Sequence, residues 1–309
     1  MEPRDRGRST VAVVSGFAML AVLVAVAMVG SLLRGAPTGA DTTDGPSASA
    51  EPVPSASTGP APSGSPAPTA RPTSPWRLLR VGEPVTTATE FTDPGTNDTH
   101  TCDIDWDDGT RISGPAPGHV CRGTHTYTRA GMYTIRSVIT DDDGGALKVP
   151  GVLVVVYDPA GGAARGTGRL KAGDGFDFTA GYPARSATEP DGQVTVALPA
   201  RLNLDLRNHQ HLDWLVVTPD GKLAVKGTAE RDPGHRVGFL LYGYSGCPAG
   251  QTKGCQPGPH RLRLVVWAAT ATPDGVPALY DNRPGGSFDL DQADPPAIDQ
   301  GSILVPGAR

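Results

Sequence analysis

Aromatic residues make up only 6% of the 309 positions, too few for one large enzyme core but enough for two small ones. Lysine is scarcer still, with 5 Lys against 22 Arg, and the net charge is −5. No strongly basic segment is present to neutralise phosphates, which argues against a nucleic-acid partner. Three catalytic signatures are missing: H-E-x-x-H, the G-x-S-x-G elbow and a phosphate loop. Cysteine occurs four times and never as C-x-x-C, and no His stands at finger spacing from it, so a structural zinc site is disfavoured. The chain is instead rich in glycine and proline, 40 and 31 residues, roughly twice average usage.

One long apolar run exists. Residues 11–33 carry no charge and are interrupted only by Gly and Ser. As a helix at ~1.5 Å per residue they would reach about 35 Å, enough to cross a ~30 Å hydrocarbon core. Arg4, Arg6 and Arg8 precede the run, so the positive-inside rule predicts a cytoplasmic N-terminus over residues 1–10 and an exported remainder. The alternative is a cleaved signal peptide ending at Ala25-Val26-Ala27. The apolar run continues past that point through Leu33, which favours an uncleaved anchor in the cell membrane; secretion after cleavage is the other outcome. Residues 35–75 then hold 10 Pro, and Val53 is their only aliphatic residue larger than Ala. Such a stretch cannot bury enough surface to offset its ordering entropy, so it reads as a disordered linker, reaching up to ~125 Å if extended.

From Trp76 the pattern changes to short alternating runs. Val85, Thr87, Thr89 and Phe91 share one face of a candidate strand, and Cys102, Ile104 and Trp106 one face of the next. Tyr133, Ile135 and Ile139 do so in a third, and Val152, Val154 and Val156 in a fourth. Period-2 patterning with turn signals between predicts an all-β antiparallel sandwich over residues 76–158. Trp106 alternates with Ile104 and is expected in the core rather than as an outward ligand platform, with Asp108-Gly109 turning the chain after it. The order D-W-D-D-G-T (105–110), H-T-Y (125–127), G-M-Y-T-I (131–135) and T-D-D-D-G-G (140–145) resembles the polycystic kidney disease (PKD) domain. That immunoglobulin-like sandwich is common in exported bacterial proteins. One departure is the turn after the Trp, which reads Asp107-Asp108-Gly109. The resemblance implies spacing and protein or polysaccharide contact outside the cell, with no chemistry of its own.

Residues 163–309 again read as β. The segment Leu212–Val217, the turn Pro219-Asp220-Gly221 and the segment Leu223–Val225 form a hairpin signal. Val237–Tyr242 gives another strand, and Leu262, Leu264 and Val266 alternate with Arg261 and Arg263 in a further one. Tyr280-Asp281-Asn282 precedes a Pro-Gly-Gly turn. This order is similar to a β-rich module that follows PKD repeats in secreted bacterial proteins, and a second sandwich is expected. Its charges balance at 15 basic and 15 acidic, so no electrostatic partner is implied.

The four cysteines fall one pair per module, and export makes disulfides Cys102 with Cys121 and Cys247 with Cys255 the simplest pairing of three. His209 and His211 form an H-x-H that could share a strand face and bind a transition metal, but a solvated strand edge explains them better. Asp103, Asp105, Asp107 and Asp108 mimic the start of an EF-hand loop and fail at its sixth position, Asp108, and its twelfth, Gly114. Asp141, Asp142 and Asp143 are the better calcium candidates, weighed against a hydrated turn before Gly144-Gly145. No catalytic residues and no organic cofactor are assigned. The expected function is a non-catalytic, membrane-anchored surface protein whose β modules contact cell-envelope protein or polysaccharide. The alternative is a secreted accessory protein or minor hydrolase acting on polysaccharide, which would need two facing carboxylates ~5–10 Å apart.

Overall fold

A computed structural model describes residues 69–70, 76–93, 98–171, 173–197, 206, 208–232, 234–247, 253–269, 273 and 276–305. The apolar segment 11–33 and most of the Pro-rich segment lie outside these residues. Among the described residues no helix is long and apolar enough to cross a membrane, and the single helical turn is the 3-10 turn Pro117–His119.

The first module is a sandwich of two sheets. Its strands are β1 (Thr69–Ala70), β2 (Arg77–Arg80), β3 (Pro84–Thr92), β4 (His100–Asp105), β5 (Arg111–Pro115), β6 (Val120–Thr126), β7 (Gly131–Asp141) and β8 (Ala146–Tyr157). The order β1-β3-β6 forms one sheet and β2-β8-β7-β4-β5 the other. The period-2 faces read from the sequence close on one core: Val85, Phe91, Ile104, Trp106, Ile135, Ile139, Val154 and Val156 are all buried together. Trp106 is fully buried, as its alternation with Ile104 predicts, and stacks on His125. The hairpin between β4 and β5 turns through Asp107 and Gly109, both at positive φ (65° and 90°). Asp107 adopts that conformation with its N–H donated to Asp105 Oδ1 at 3.0 Å, an Asx-type bond that favours the turn.

Two details escaped the alternation argument. The residues Pro150 and Gly151 sit in β8 where the register shifts between Ile135 and Ser137 of β7, one extra residue on the β8 side. A bulge of this kind moves inward-facing side chains from odd positions to even ones. Leu147 and Val149 therefore face the same core as Val154 and Val156. In addition, Thr69 and Ala70, read as part of the linker, pair with Thr92 and Phe91 at the edge of β3. Strand pairing thus begins within the Pro-rich segment.

The second module is also a sandwich. It comprises β9 (Ala163–Arg169), β10 (Gly175–Gly181), β11 (Asp191–Ala197), β12 (Asn208–Val217), β13 (Lys222–Asp232), β14 (His235–Tyr244), β15 (Arg261–Ala268), β16 (Tyr280–Asp281) and β17 (Gln300–Leu304). Sheet β11-β10-β9-β17 packs on sheet β12-β13-β14-β15-β16 around Phe176, Phe178, Val225, Phe239, Leu241 and Leu264. The predicted hairpin is present: Val217 pairs with Leu223, and Gly221 turns the chain at φ 85° with its N–H on Thr218 O at 3.1 Å.

The five-stranded sheet is buried on both faces. Trp214, Val216, Leu240, Tyr242, Val265 and Trp267 point away from the sandwich core into a separate apolar layer. That layer is completed by Ala130, Met132, Leu153 and Val155 of the first module and by Phe288, Leu290 and Ala293 of the segment between β16 and β17. Arg263, which alternates with Leu262 and Leu264, is accordingly buried as well. It lies in the layer shared by the two modules, held by Asp281 at 3.0 and 2.9 Å and by the carbonyls of Gly286 and Ser287.

Candidate functional site

The disulfides form as the pairing by module predicts. Cys102 on β4 joins Cys121 on β6 and so ties the two sheets of the first sandwich together, with Cα atoms 5.4 Å apart. Cys247 joins Cys255 with Cα atoms 5.0 Å apart, beside the β14–β15 connection. The described residues include no free cysteine. Replacing Cys102 and Cys121 together by serine is expected to lower stability by about 3 kcal/mol, because the bond closes a loop with a sequence separation of 19. Denaturant titration of the variant beside the oxidised wild type measures it, and equal midpoints for the two would show that the bond adds nothing.

The acidic run does not gather in the predicted way. Asp141 ends β7 and points inward at 5% exposure, whereas Asp142 and Asp143 are exposed. Successive residues leaving a strand face opposite sides, so three adjacent carboxylates do not converge there. Asp142 Oδ1 instead accepts the Thr99 N–H at 2.9 Å. The carboxylates that meet Asp141 come from the far end of β3 and the start of β4: oxygens of Asp93, Asp98 and Asp141 lie within 4.8 Å of one another. Asp141 Oδ1 accepts the Gly145 N–H at 2.6 Å, while its Oδ2 is buried without a hydrogen-bond partner. His100 Nε2 meets Asp93 Oδ2 at 2.8 Å, and the His100 ring packs edge-on against Phe91. Three carboxylates with one orphaned oxygen fit a hard cation such as calcium, which takes oxygen ligands. Sequence spacing offered no route to this grouping, since Asp93 and Asp141 meet only through sheet register.

The remaining candidates are structural in their contacts. Asp105 ion-pairs with Arg111 at 2.8 Å and Asp107 with Arg136 at 3.0 Å. Asp108 accepts from Thr110 and meets His125 Nε2 at 2.7 Å. Burial raises the Asp108 carboxyl, but hydrogen bonds from Thr110 and His125 outweigh it and bring the group below its ordinary range. Asp103 pairs across β4 and β5 with Ser113. These four carboxylates are spread along a hairpin and its turn, not around a loop cavity. His211 lies on an edge strand, half exposed between Asp213 at 3.2 Å and Glu189 at 3.4 Å, while the His209 side chain lies outside the described residues.

A cavity of about 970 Å³ opens in the second module between β9, β10 and the Cys255 loop. Tyr182, Arg165, Asp191, Ser245 and His260 supply its polar groups. Burial holds His260 below the ordinary histidine range, and its Nδ1 accepts the Gly246 N–H at 2.8 Å, which fixes the neutral ring. Asp191 is the one carboxylate among the described lining residues.

No curated protein sequence matches the chain. Two solved β-sandwich structures are similar over 70% of it. Fibronectin(III)-like modules of Clostridium thermocellum CbhA share 10% identity over 90% of their own chain, with a TM-score of 0.25. A carbohydrate-binding module of the β-sandwich superfamily shares 15% over 82% of its chain, with a TM-score of 0.24. Scores this low carry no argument about ligand or function. The sequence of the first sandwich is more specific: residues 65–154 match the family model of the PKD domain, a span that includes β1 and the Trp106 hairpin, and this part of the chain is a PKD domain.

Proposed function

We propose that this protein is a non-catalytic contact protein of the cell surface. Residues 11–33 anchor it in the membrane, the Pro-rich segment carries it outward, and the PKD domain with the second sandwich meets cell-envelope protein or polysaccharide. The observation that carries the reading is the apolar layer joining the two modules, which makes one stiff head from a PKD domain and a second sandwich. A stiff head presents a preorganised surface and lowers the entropy lost on binding. Two disulfides support an oxidising, exported location. Incubating residues 76–309 with intact cell-envelope material and recovering bound components tests the contact role. Protease added to intact cells should remove residues 35–309; hydrolysis of envelope polysaccharide by the purified head, or no retention on the envelope, would overturn the reading.

The same proposal includes a calcium ion held by Asp93, Asp98 and Asp141. Like charges at this spacing repel when ionised, and a divalent cation relieves that repulsion. A cation at 100 times its dissociation constant adds about 2.7 kcal/mol, or roughly 5–10 °C in melting temperature for a folded unit of this size. Thermal melts with millimolar calcium and with chelator should differ by that amount in wild type and coincide in Asp141→Asn. Superimposed wild-type curves would remove the metal from the proposal.

A further inference from the structure

One end of the second sandwich is hollow. The first residues of β9 and β11, the last of β10 and β17 and the connection between β14 and β15 stand around the opening. Small residues leave the space there: Ala163, Ala164, Ala180, Gly181, Gly192 and Gly246 all line it. A Cβ on Gly246 would come within 2.6 Å of the His260 amide nitrogen, so this wall stays bare. The resulting cavity of about 970 Å³ falls within the roughly 300–1,000 Å³ of small-molecule sites.

Room alone does not call for a ligand, but four polar groups around it do. Ser245 is 7% exposed, and its backbone is paired, with its N–H on Gly221 O at 2.8 Å and its carbonyl accepting Gln256 N–H at 2.7 Å. Its hydroxyl has no hydrogen-bond partner among the described residues, an exception for a residue so buried. His260 accepts the Gly246 N–H at Nδ1, so the ring proton sits on Nε2, a donor without a partner among the described residues. Arg165 is exposed on β9 and makes neither an ion pair nor a hydrogen bond through its guanidinium. Asp191, across β10 from it, accepts the Gly192 N–H at 2.8 Å through Oδ1 and keeps Oδ2 open. Tyr182 adds an aromatic wall, held by hydrogen bonds of its hydroxyl to Leu215 and by stacking on Tyr157 at 5.5 Å.

This set of groups is selective. One free cation beside two neutral donors matches a single negative charge, and a guanidinium reads a planar carboxylate through two parallel bonds. A dianionic phosphate would face Asp191 with only Arg165 to offset it among the described lining residues. Asp191 and the Ser245 hydroxyl can accept from ligand hydroxyls, while Tyr182 and the alanines suit the apolar face of a sugar ring. A peptide would need an open strand edge to add to, and β9 and β10 are paired on both sides. We propose that the cavity binds a short acidic saccharide, with Arg165 on its carboxylate and Ser245, His260 and Asp191 on its ring hydroxyls. This site deepens the contact role proposed above and rests on it.

The test is calorimetry on the full-length protein in detergent. The probes are short saccharides carrying glucuronate, galacturonate or muramate, each beside its carboxyl-reduced form, and a tripeptide with a free C-terminal carboxylate. At least one acidic saccharide should bind, and Arg165→Gln should weaken it about ten- to a hundredfold, down to the level of its reduced form. The reduced form should bind wild type and Arg165→Gln alike, and Ser245→Ala should weaken both forms. No binding of any acidic saccharide at millimolar concentration overturns the site. So does equal affinity for acidic and reduced forms, or tighter binding of the tripeptide. Retention on cell-envelope material is scored separately. A protein that is retained there but ignores every saccharide loses the cavity assignment and keeps the contact role, whereas one that binds a saccharide but is not retained keeps the site and loses the role.

Discussion

Replacing Arg263 by methionine is expected to lower the stability of the folded unit by about 3–5 kcal/mol, the cost of leaving a buried partner charge uncompensated. Arg263 is 1% exposed, and Asp281 lies opposite it with a side chain that is 10% exposed. The guanidinium binds Asp281 through two parallel hydrogen bonds and also satisfies the Gly286 and Ser287 carbonyls. Its flat faces lie over the rings of Tyr242 and Phe288 at 5.7 and 5.5 Å. One side chain thus fastens the segment 281–288 to β15, and that segment carries Phe288 into the layer shared with the PKD domain. Lysine is expected to restore only part of the loss. Its single ammonium cannot reproduce the planar fork or reach both carbonyls at once. The double variant Arg263→Met, Asp281→Leu should recover much of the stability, since neither charge is then left alone in the interior. Urea titration reads these differences as midpoint shifts at constant slope. A midpoint for Arg263→Met within about 0.5 kcal/mol of wild type would show that the buried pair is not what holds this segment.

That arginine also marks where sequence reasoning stopped. Strand β3 of the PKD domain was legible because one face packs inward and the other meets water, so Val85, Thr89 and Phe91 stand out on alternate positions. In β15 the residues from Leu262 to Trp267 are all buried, and alternation between Leu and Arg described two cores rather than core and solvent. The signal available was the unbroken apolar run in Trp214–Val217 and in Phe239–Tyr242, which a strand buried on both faces shows and a half-exposed strand does not. The disulfides were legible because each pair lies within one module and chain proximity limits the choices. The Asp93, Asp98 and Asp141 group was not, since it depends on β4 pairing His100 with Asp141. Nor could the packing of one sandwich on the other be read in advance, because nothing in either set of motifs announces it.

The second large effect concerns that packing. Residues 163–309 expressed alone are expected to lose cooperative folding or to aggregate, although they contain a complete sandwich core of their own. In the intact chain Met132 and Val155 of the PKD domain are nearly fully buried against the sheet that carries Trp214, Val216, Leu240, Tyr242, Val265 and Trp267. Removing the PKD domain uncovers apolar surface on that sheet. Burying one Met or Val side chain contributes about 1.5–3 kcal/mol, and Leu153, Val81, Trp76 and Ala130 add to the same layer. The sum is a large fraction of the roughly 5–15 kcal/mol by which domains are stable at all, and the uncovered patch is of the kind that drives association. By the same reasoning residues 60–309 should melt in one transition, with calorimetric and van't Hoff enthalpies in agreement. Placing a charge in the layer, as in Val155→Asp, should destabilise both modules together, because an unpaired buried charge has no partner there. Two well-separated transitions in the intact chain would refute the shared layer as a source of stability. So would an isolated second module that melts at the same temperature as the whole.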